Sequence, residues 1–233
     1  MAIGSSLSGI RPETINNLVL DAGVLYLNAN IADLLSATTP ADAAFDLAVD
    51  PLNSWTDPNG TLVYPTKLGA TEGGTRVSIN KEERQVEADG RRTNIKGFQR
   101  VNMIDPKITT SLLEYADFGT LKLALGSTTE TDHENFKELR PYLYVQDTDY
   151  YGNVTLFATI SNRKAPNGED LPIIIVLENV RVNNIQEQSF TDKAEAKLPV
   201  ELTGHALPGD AFSIPIRYIV PKALAELGYY SGM

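Results

Sequence analysis

The chain has 233 residues, 42% hydrophobic and 21% charged, enough apolar material for a sizeable core in one large or two small domains. Thirty acidic side chains against 20 basic ones give a formal charge of -10, the opposite of what gripping nucleic acid by its phosphates requires. Cysteine is absent, which excludes disulfide scaffolds, thiolate zinc sites and cysteine nucleophiles together.

The first ten residues are small and polar, with no basic residue before Arg11, so no export signal is expected. No stretch approaches the roughly 20 apolar residues of a membrane-spanning helix, the best run being Leu171 to Leu177, and no membrane partner is expected. Residues 1–66 hold one basic side chain, Arg11, against Glu13, Asp21, Asp33, Asp42, Asp46, Asp50 and Asp57. Most of the net charge therefore sits in the first quarter of the chain.

In chain order, a strand is expected within Asn17–Asn28 and a short helix over Ala29–Ser36. Residues 37–66, rich in Ala, Asp, Pro and Asn and holding the only Trp, read as an inserted surface loop. A Gly-rich turn at 69–74 leads into a long hairpin, 75–88 and 95–109, with its turn at Asp89-Gly90. Leu112, Leu113, Ala116, Leu121, Ala124 and Leu125 recur near a 3.6 period, predicting a helix over 109–125 stopped by Gly126 and open to a break at Asp117-Phe118-Gly119. The acidic stretch Thr128–Glu138 reads as solvent-exposed. Further strands are expected at Tyr142–Val145, Val154–Ile160, Ile173–Val180, Leu198–Leu202 and Ile214–Val220, then a short helix at Pro221–Leu227. The 173–177 run is apolar on both faces, so that strand should be covered on both sides. The fold class is mainly β: an antiparallel β-sandwich or barrel-forming domain with one flanking α-helix and a long hairpin.

No catalytic constellation emerges. His133 and His205 are isolated, without the HExxH or HxH spacing of a metal site. Asp147-Thr148-Asp149 begins like a calcium loop, but Tyr151 and Ala158 occupy positions where ligands belong, so it reads as a plain turn. Gly69–Gly74 lacks the Lys-Ser/Thr and the helix start that a phosphate loop needs. Ser161-Asn-Arg-Lys164 matches Ser-x-x-Lys alone, in an expected turn, with no companion motif. No enzyme, no metal and no cofactor are expected.

Residues 67–125 carry a more specific signal. Leu68-Gly-Ala-Thr71 enters a hairpin with Arg84-Gln-Val-Glu-Ala-Asp-Gly90, returns through Ile95-Lys-Gly97, and runs by Lys107-Ile-Thr-Thr-Ser-Leu-Leu-Glu114 into Leu121–Leu125. This order resembles the major tail tube proteins of long-tailed bacteriophages, with weaker likeness through Asn153–Ser161, Ile173–Asn179 and Leu198–His205. The resemblance covers roughly two-thirds of the chain and leaves out 37–66 and the tail after Leu207.

What the resemblance implies is one tail-tube domain over 1–233, with 37–66 inserted and a C-terminal arm from about 207. Such subunits form hexameric rings whose sheets join into a β-barrel and stack into a tube for DNA ejection. A non-contractile, siphophage-type tail is the favoured form. The implied partners are further copies of the chain, the tape measure protein, tail terminator and distal tail proteins, and phage DNA in transit. The implied location is the virion, with assembly in the host cytoplasm. A bore with excess carboxylates would avoid the salt-dependent affinity that each neutralised phosphate adds. The candidate lining is Glu83, Gln85, Glu87 and Asp89, with Glu201 and Thr203 (beside Lys197) as a second row; Asp89, Gly90, Arg91, Arg92 and Lys96 are the candidate inter-ring hairpin. The competing expectations are another tail-ring component of the same fold, or a monomeric β-sandwich binding module presenting Tyr142, Tyr144, Tyr150 and Tyr151.

Overall fold

A computed structural model describes residues 19, 23–32, 54–56, 60, 62–85, 96–114, 116–164, 170–185, 195–210 and 212–220. Among them the fold is mainly β, with antiparallel pairing and one α-helix. In chain order the elements are β1 (Val24–Leu27), β2 (Trp55–Thr56), β3 (Leu62–Val63), β4 (Thr66–Lys67), β5 (Thr71–Gln85), β6 (Gln99–Leu112), α1 (Phe118–Leu125), β7 (Thr128–Asp132), β8 (Lys137–Pro141), β9 (Tyr151–Lys164), β10 (Asp170–Ile185), β11 (Leu198–Thr203) and β12 (Ile216–Ile219). They form two compact units; β10 belongs to the first up to Val176 and to the second from Leu177.

In the first unit β1 lies between β4 and β9, and β9 is followed in the sheet by β10. Its core gathers Tyr26, Ala29, Ile31, Phe157, Ile174 and Val176, with Val24 and Ile219 packed against it. Tyr26 and Phe157 meet edge to face at 5.3 Å between centroids, a geometry the ring quadrupoles favour. The amide of Asn153 is buried here and satisfied at both ends: Oδ1 accepts from Ala29 N–H and from Thr155 Oγ1, and Nδ2 donates to Ala29 O. Residues 37–66 are not wholly loop. Trp55–Thr56 pairs with Leu62–Val63, and Trp55 Nε1 donates to Asn28 O at 3.0 Å. The β-propensity of Trp-Thr and Leu-Val and the turn at Gly60 (φ 83) override the loop-like composition around them.

In the second unit the order is β10, β11, β6, β5. On β11 Leu198, Val200 and Leu202 are fully buried and alternate with Pro199 and Glu201 on the other face. On β6 Ile108, Thr110 and Leu112 are buried and alternate with half-exposed Lys107, Thr109 and Ser111. The expected helix over 109–125 is therefore halved. Residues 109–112 continue β6, where β-branched Thr109 and Thr110 fit the pleat and every second side chain finds the core. The helix starts only where Asp117 caps it, Oδ2 accepting from Thr120 N–H at 2.7 Å, and it ends at Gly126 (φ 71). Those hydrogen bonds from Thr120 hold the Asp117 carboxyl below its ordinary value of 3.8.

Other expectations shift. The Gly-rich turn is part of β5: Gly73 and Gly74 have φ of 75 and 77 inside the strand, where the register to β6 jumps between Glu72 and Arg76, a bulge that only glycine fills without strain. Thr128–Glu138 is exposed but forms the β7–β8 hairpin, which its alternation of Thr with acidic residues did not announce. Tyr142–Val145 is not a strand; it is an exposed bend before a single 3-10 turn at Asp147–Asp149. Residues 161–164, expected in a turn, belong to β9. The strands expected at 173–180, 198–202 and 214–220 appear as β10, β11 and β12. The helix expected at 29–36 begins at Ile31 and otherwise lies outside the described residues, as does the one at 221–227.

Candidate functional site

Cross-strand partners share a face, so the register of the second unit sorts its side chains. Ile108 pairs with Val77 and Leu202, and this face is covered. Lys107 pairs with Ser78 and Thr203, and Thr109 with Arg76 and Glu201, and this face is polar throughout. Arg181 on β10 joins it opposite Thr203, and Asn183 Nδ2 donates to Thr203 Oγ1 at 2.8 Å.

At its centre is a three-member cluster. Lys107 Nζ lies 3.0 Å from Glu201 Oε1 and 3.2 Å from Asp105 Oδ2, all three side chains about three-quarters covered. Asp105 is two positions before Lys107 on β6 and Glu201 comes diagonally from β11, a reach long side chains span easily. Hydrogen bonds to Glu201 and then to Asp105 raise the Lys107 pKa, so the ammonium is held charged. Lys197 Nζ, just before β11, lies 2.7 Å from Glu72 Oε1 on β5. Arg181 donates to Asn183 Oδ1 at 2.7 and 3.2 Å and stands over the Tyr150 ring.

The face is charge-balanced. Among the described residues it carries Glu72, Glu82, Asp105 and Glu201 against Arg76, Lys107, Arg181 and Lys197. The acidic excess of the chain lies elsewhere, chiefly in residues 1–66. What this face has instead is cations whose hydrogen bonds are already taken.

Of the predicted lining residues, Glu201 and Thr203 lie on this face and meet Lys107 and Asn183 there. Glu83 and Gln85 do not form a row with them. Glu83 stands opposite Val101 and Glu201 opposite Thr109, eight positions along β6, which at 3.4 Å per residue is about 27 Å. A second register shift between Glu82 and Glu83 also breaks the alternation on which the expected row depended. Glu83 is bonded to Lys81, and Lys96 is exposed in a turn ahead of β6. Glu87, Asp89, Gly90, Arg91 and Arg92 lie outside the described residues. Sequence reasoning missed Asp105 and Lys107. Their signal was the alternation Asp105, Lys107, Thr109, Ser111, hidden by reading Thr109 onward as helical.

The outer edge of β5 is open: fifteen residues long, it ends the strand order and has no strand partner beyond it among the described residues. Long edges of that kind template pairing with another chain unless something covers them.

No group of three or more His, Asp or Glu side chains among the described residues could hold a metal ion. His133 is exposed and lies 3.1 Å from Glu138. His205 follows β11, meets Tyr150 edge to face at 5.2 Å, and has Nδ1 3.2 Å from Asn179 O. Both are structural. Asp147–Asp149 is held as a turn, with Asp149 Oδ2 accepting from Gln146 N–H and Ser127 Oγ at 2.7 Å and Oδ1 from Tyr142 Oη. No helix of the described residues is long and apolar enough to cross a membrane.

No protein-family model matches the chain, and no curated protein is similar to it. Among solved structures it is similar to a chain of the virion of a native gene transfer agent (GTA) particle, with 10% identity and TM-score 0.34 over 67% of this chain and 89% of that one. It is also similar to a chain of the tail of an empty GTA particle with C6 symmetry, with 11% identity and TM-score 0.33 over 66% and 90%. Likeness at that level assigns no function, and the argument rests on the residues.

Proposed function

We propose that this chain is a structural protein of a bacteriophage tail, the tube subunit, and that it performs no catalysis. The observation that carries this reading is the open β5 edge beside a polar face whose central cation is held by two carboxylates. A protomer with such an edge is incomplete alone. Copies side by side would extend each other's sheets, and closing six of them into a barrel would remove every edge. Head-to-tail contacts that do not close along the axis would then stack the rings into a tube. The order hairpin, strand, capped helix over 67–125 supports the same reading, because the resembling motifs fall on β5, β6 and α1 in sequence.

The polar face is the proposed wall of the bore. DNA presents about one phosphate charge per 1.7 Å of axis, and its affinity for a surface grows with each phosphate that a free cation neutralises. Lys107, between Asp105 and Glu201, and Lys197, against Glu72, are not free. The wall is non-adhesive because its cations are occupied, and an overall negative lining is not required. In this reading the tube holds the tape measure protein during assembly in the host cytoplasm, meets terminator and distal tail proteins at its ends, and passes DNA without specific binding.

The test is assembly. Purified protein examined by negative-stain microscopy and sedimentation is expected to give rings and tubes. A compact species near the chain mass of 25.4 kDa at all concentrations would overturn the proposal. The alternative of a monomeric binding module needs an aromatic platform. Tyr142 is bonded to Asp149, Tyr150 is against His205 and Tyr151 is half-buried, leaving Tyr144 without them.

A further inference from the structure

The distal part of the β5–β6 hairpin carries an unfavourable arrangement. Arg84 stands directly opposite Arg100, both exposed, and like charges at such a position destabilise a strand pair. No carboxylate pairs with either among the described residues, and the adjacent Glu83 is engaged by Lys81. Beside the arginines, Val101 and Met103 are 46% and 55% exposed.

A second surface of the chain has the opposite character. Leu143, Tyr144 and Val145 are 94%, 78% and 50% exposed in the bend after β8. They are held out, not loose: Asp149 takes the Tyr142 hydroxyl on one side of the tripeptide and the Gln146 N–H on the other. Burial opposes a low Asp149 pKa, and the hydrogen bonds from Gln146, Tyr142 and Ser127 with the Arg181 charge overcome it, so the clamp stays ionised at neutral pH. Asp147 follows, exposed and with no ion partner among the described residues. The surrounding segment 128–149 holds six acidic residues against two basic.

An apolar patch flanked by an unpaired arginine couple and a rigid apolar knob flanked by a free carboxylate are complementary in shape, polarity and charge. Both belong to the same chain. We infer that the Leu143–Val145 knob of one copy seats on Val101 and Met103 of a second copy, with Arg84 and Arg100 straddling Asp147. The two patches differ, so the contact is heterologous and each copy keeps one of each free, which propagates a ring or a filament. The inference rests on the tube reading above and names the surfaces by which copies meet. The knob needs no ordering on binding, because its clamp is already closed in the single chain.

The full-length protein tests this by charge reversal, read by sedimentation and microscopy. Arg84→Glu with Arg100→Glu is expected to lower the assembled fraction at least tenfold, while far-UV circular dichroism and thermal melting of the protomer stay unchanged. Adding Asp147→Arg to that chain is expected to restore assembly to within about threefold of the parent, since every interface regains opposite charges. The contact is overturned if the double reversal assembles like the parent, or if the added Asp147→Arg restores nothing in a folded protomer. Tubes that form normally but lose affinity for DNA would assign the arginines to the polyanion and also overturn it. In each of these outcomes the parent protein assembles. A parent that never assembles would instead overturn the tube reading itself.

Discussion

The β5–β6 hairpin has two ends built by different rules. At its root, Ile108 and Leu112 are fully buried, the opposite face is polar, and strict alternation fixes the register. Beyond the shift at Glu82–Glu83, apolar Val101 and Met103 stand exposed and two arginines face each other. The root is a strand pair that the rest of its own unit covers. The distal end follows the geometry of a sheet with nothing of its own unit to cover it. Apolar surface and like charges left in that state are features of an interface, since folding alone does not reward them.

The largest expected effect separates the two ends directly. Leu112→Ala removes a wholly buried side chain and is expected to cost about 2–5 kcal/mol in urea unfolding. Met103→Ala, at the other end, is expected to stay within about 0.5 kcal/mol on the protomer and to act only on assembly. Equal losses at both would abolish the distinction. A smaller effect comes from the helix that packs against β11. Asp117→Ala is expected to cost about 1 kcal/mol through the lost cap. Because the folded pKa of Asp117 lies below 3.8, its contribution is present above the unfolded value and fades as pH falls through the folded one. The gap between parent and Asp117→Ala should therefore narrow below about pH 4 in pH-dependent melts.

The smallest effect on stability, about 0–1 kcal/mol, is expected from Asp105→Asn with Glu201→Gln on the polar face of the root, since partly exposed ion pairs contribute little. Its consequence lies elsewhere. Freeing Lys107 is expected to give the assembled protein a salt-dependent affinity for DNA, steepening the slope of log K against log salt by about 0.9 per freed cation. An unchanged slope, measured by fluorescence anisotropy, would mean that the polar face is not the wall.

Much of the sheet was legible because period two is a local property. Leu198, Val200 and Leu202 announced β11 to within a residue, and the apolar 173–177 run became the most enclosed part of β10. The misreading at 109–125 has a physical reason. Leu112, Leu113 and Ala116 satisfy a helical period by coincidence at the junction of a strand and a helix, and only pairing of Leu112 with Leu198 decides the strand. The acidic row expected from Glu83 to Asp89 was lost in a similar way. Alternation is correct within each segment of a strand, but a bulge resets it, and no feature of Glu82-Glu83 marks the reset.

By itself, the amino-acid order determined that this protein would be mainly β, rich in turns, devoid of thiol chemistry and unfit to bind phosphates in bulk, because those follow from composition and nearest-neighbour patterning. Tertiary structure decided which charges neutralise one another. Lys107 and Glu201 are 94 positions apart, and Lys197 and Glu72 are 125 apart, so only strand order could join them. It also decided which apolar residues stay outside. Leu143 and Leu202 are the same side chain, and packing alone left one in water and sealed the other in the core.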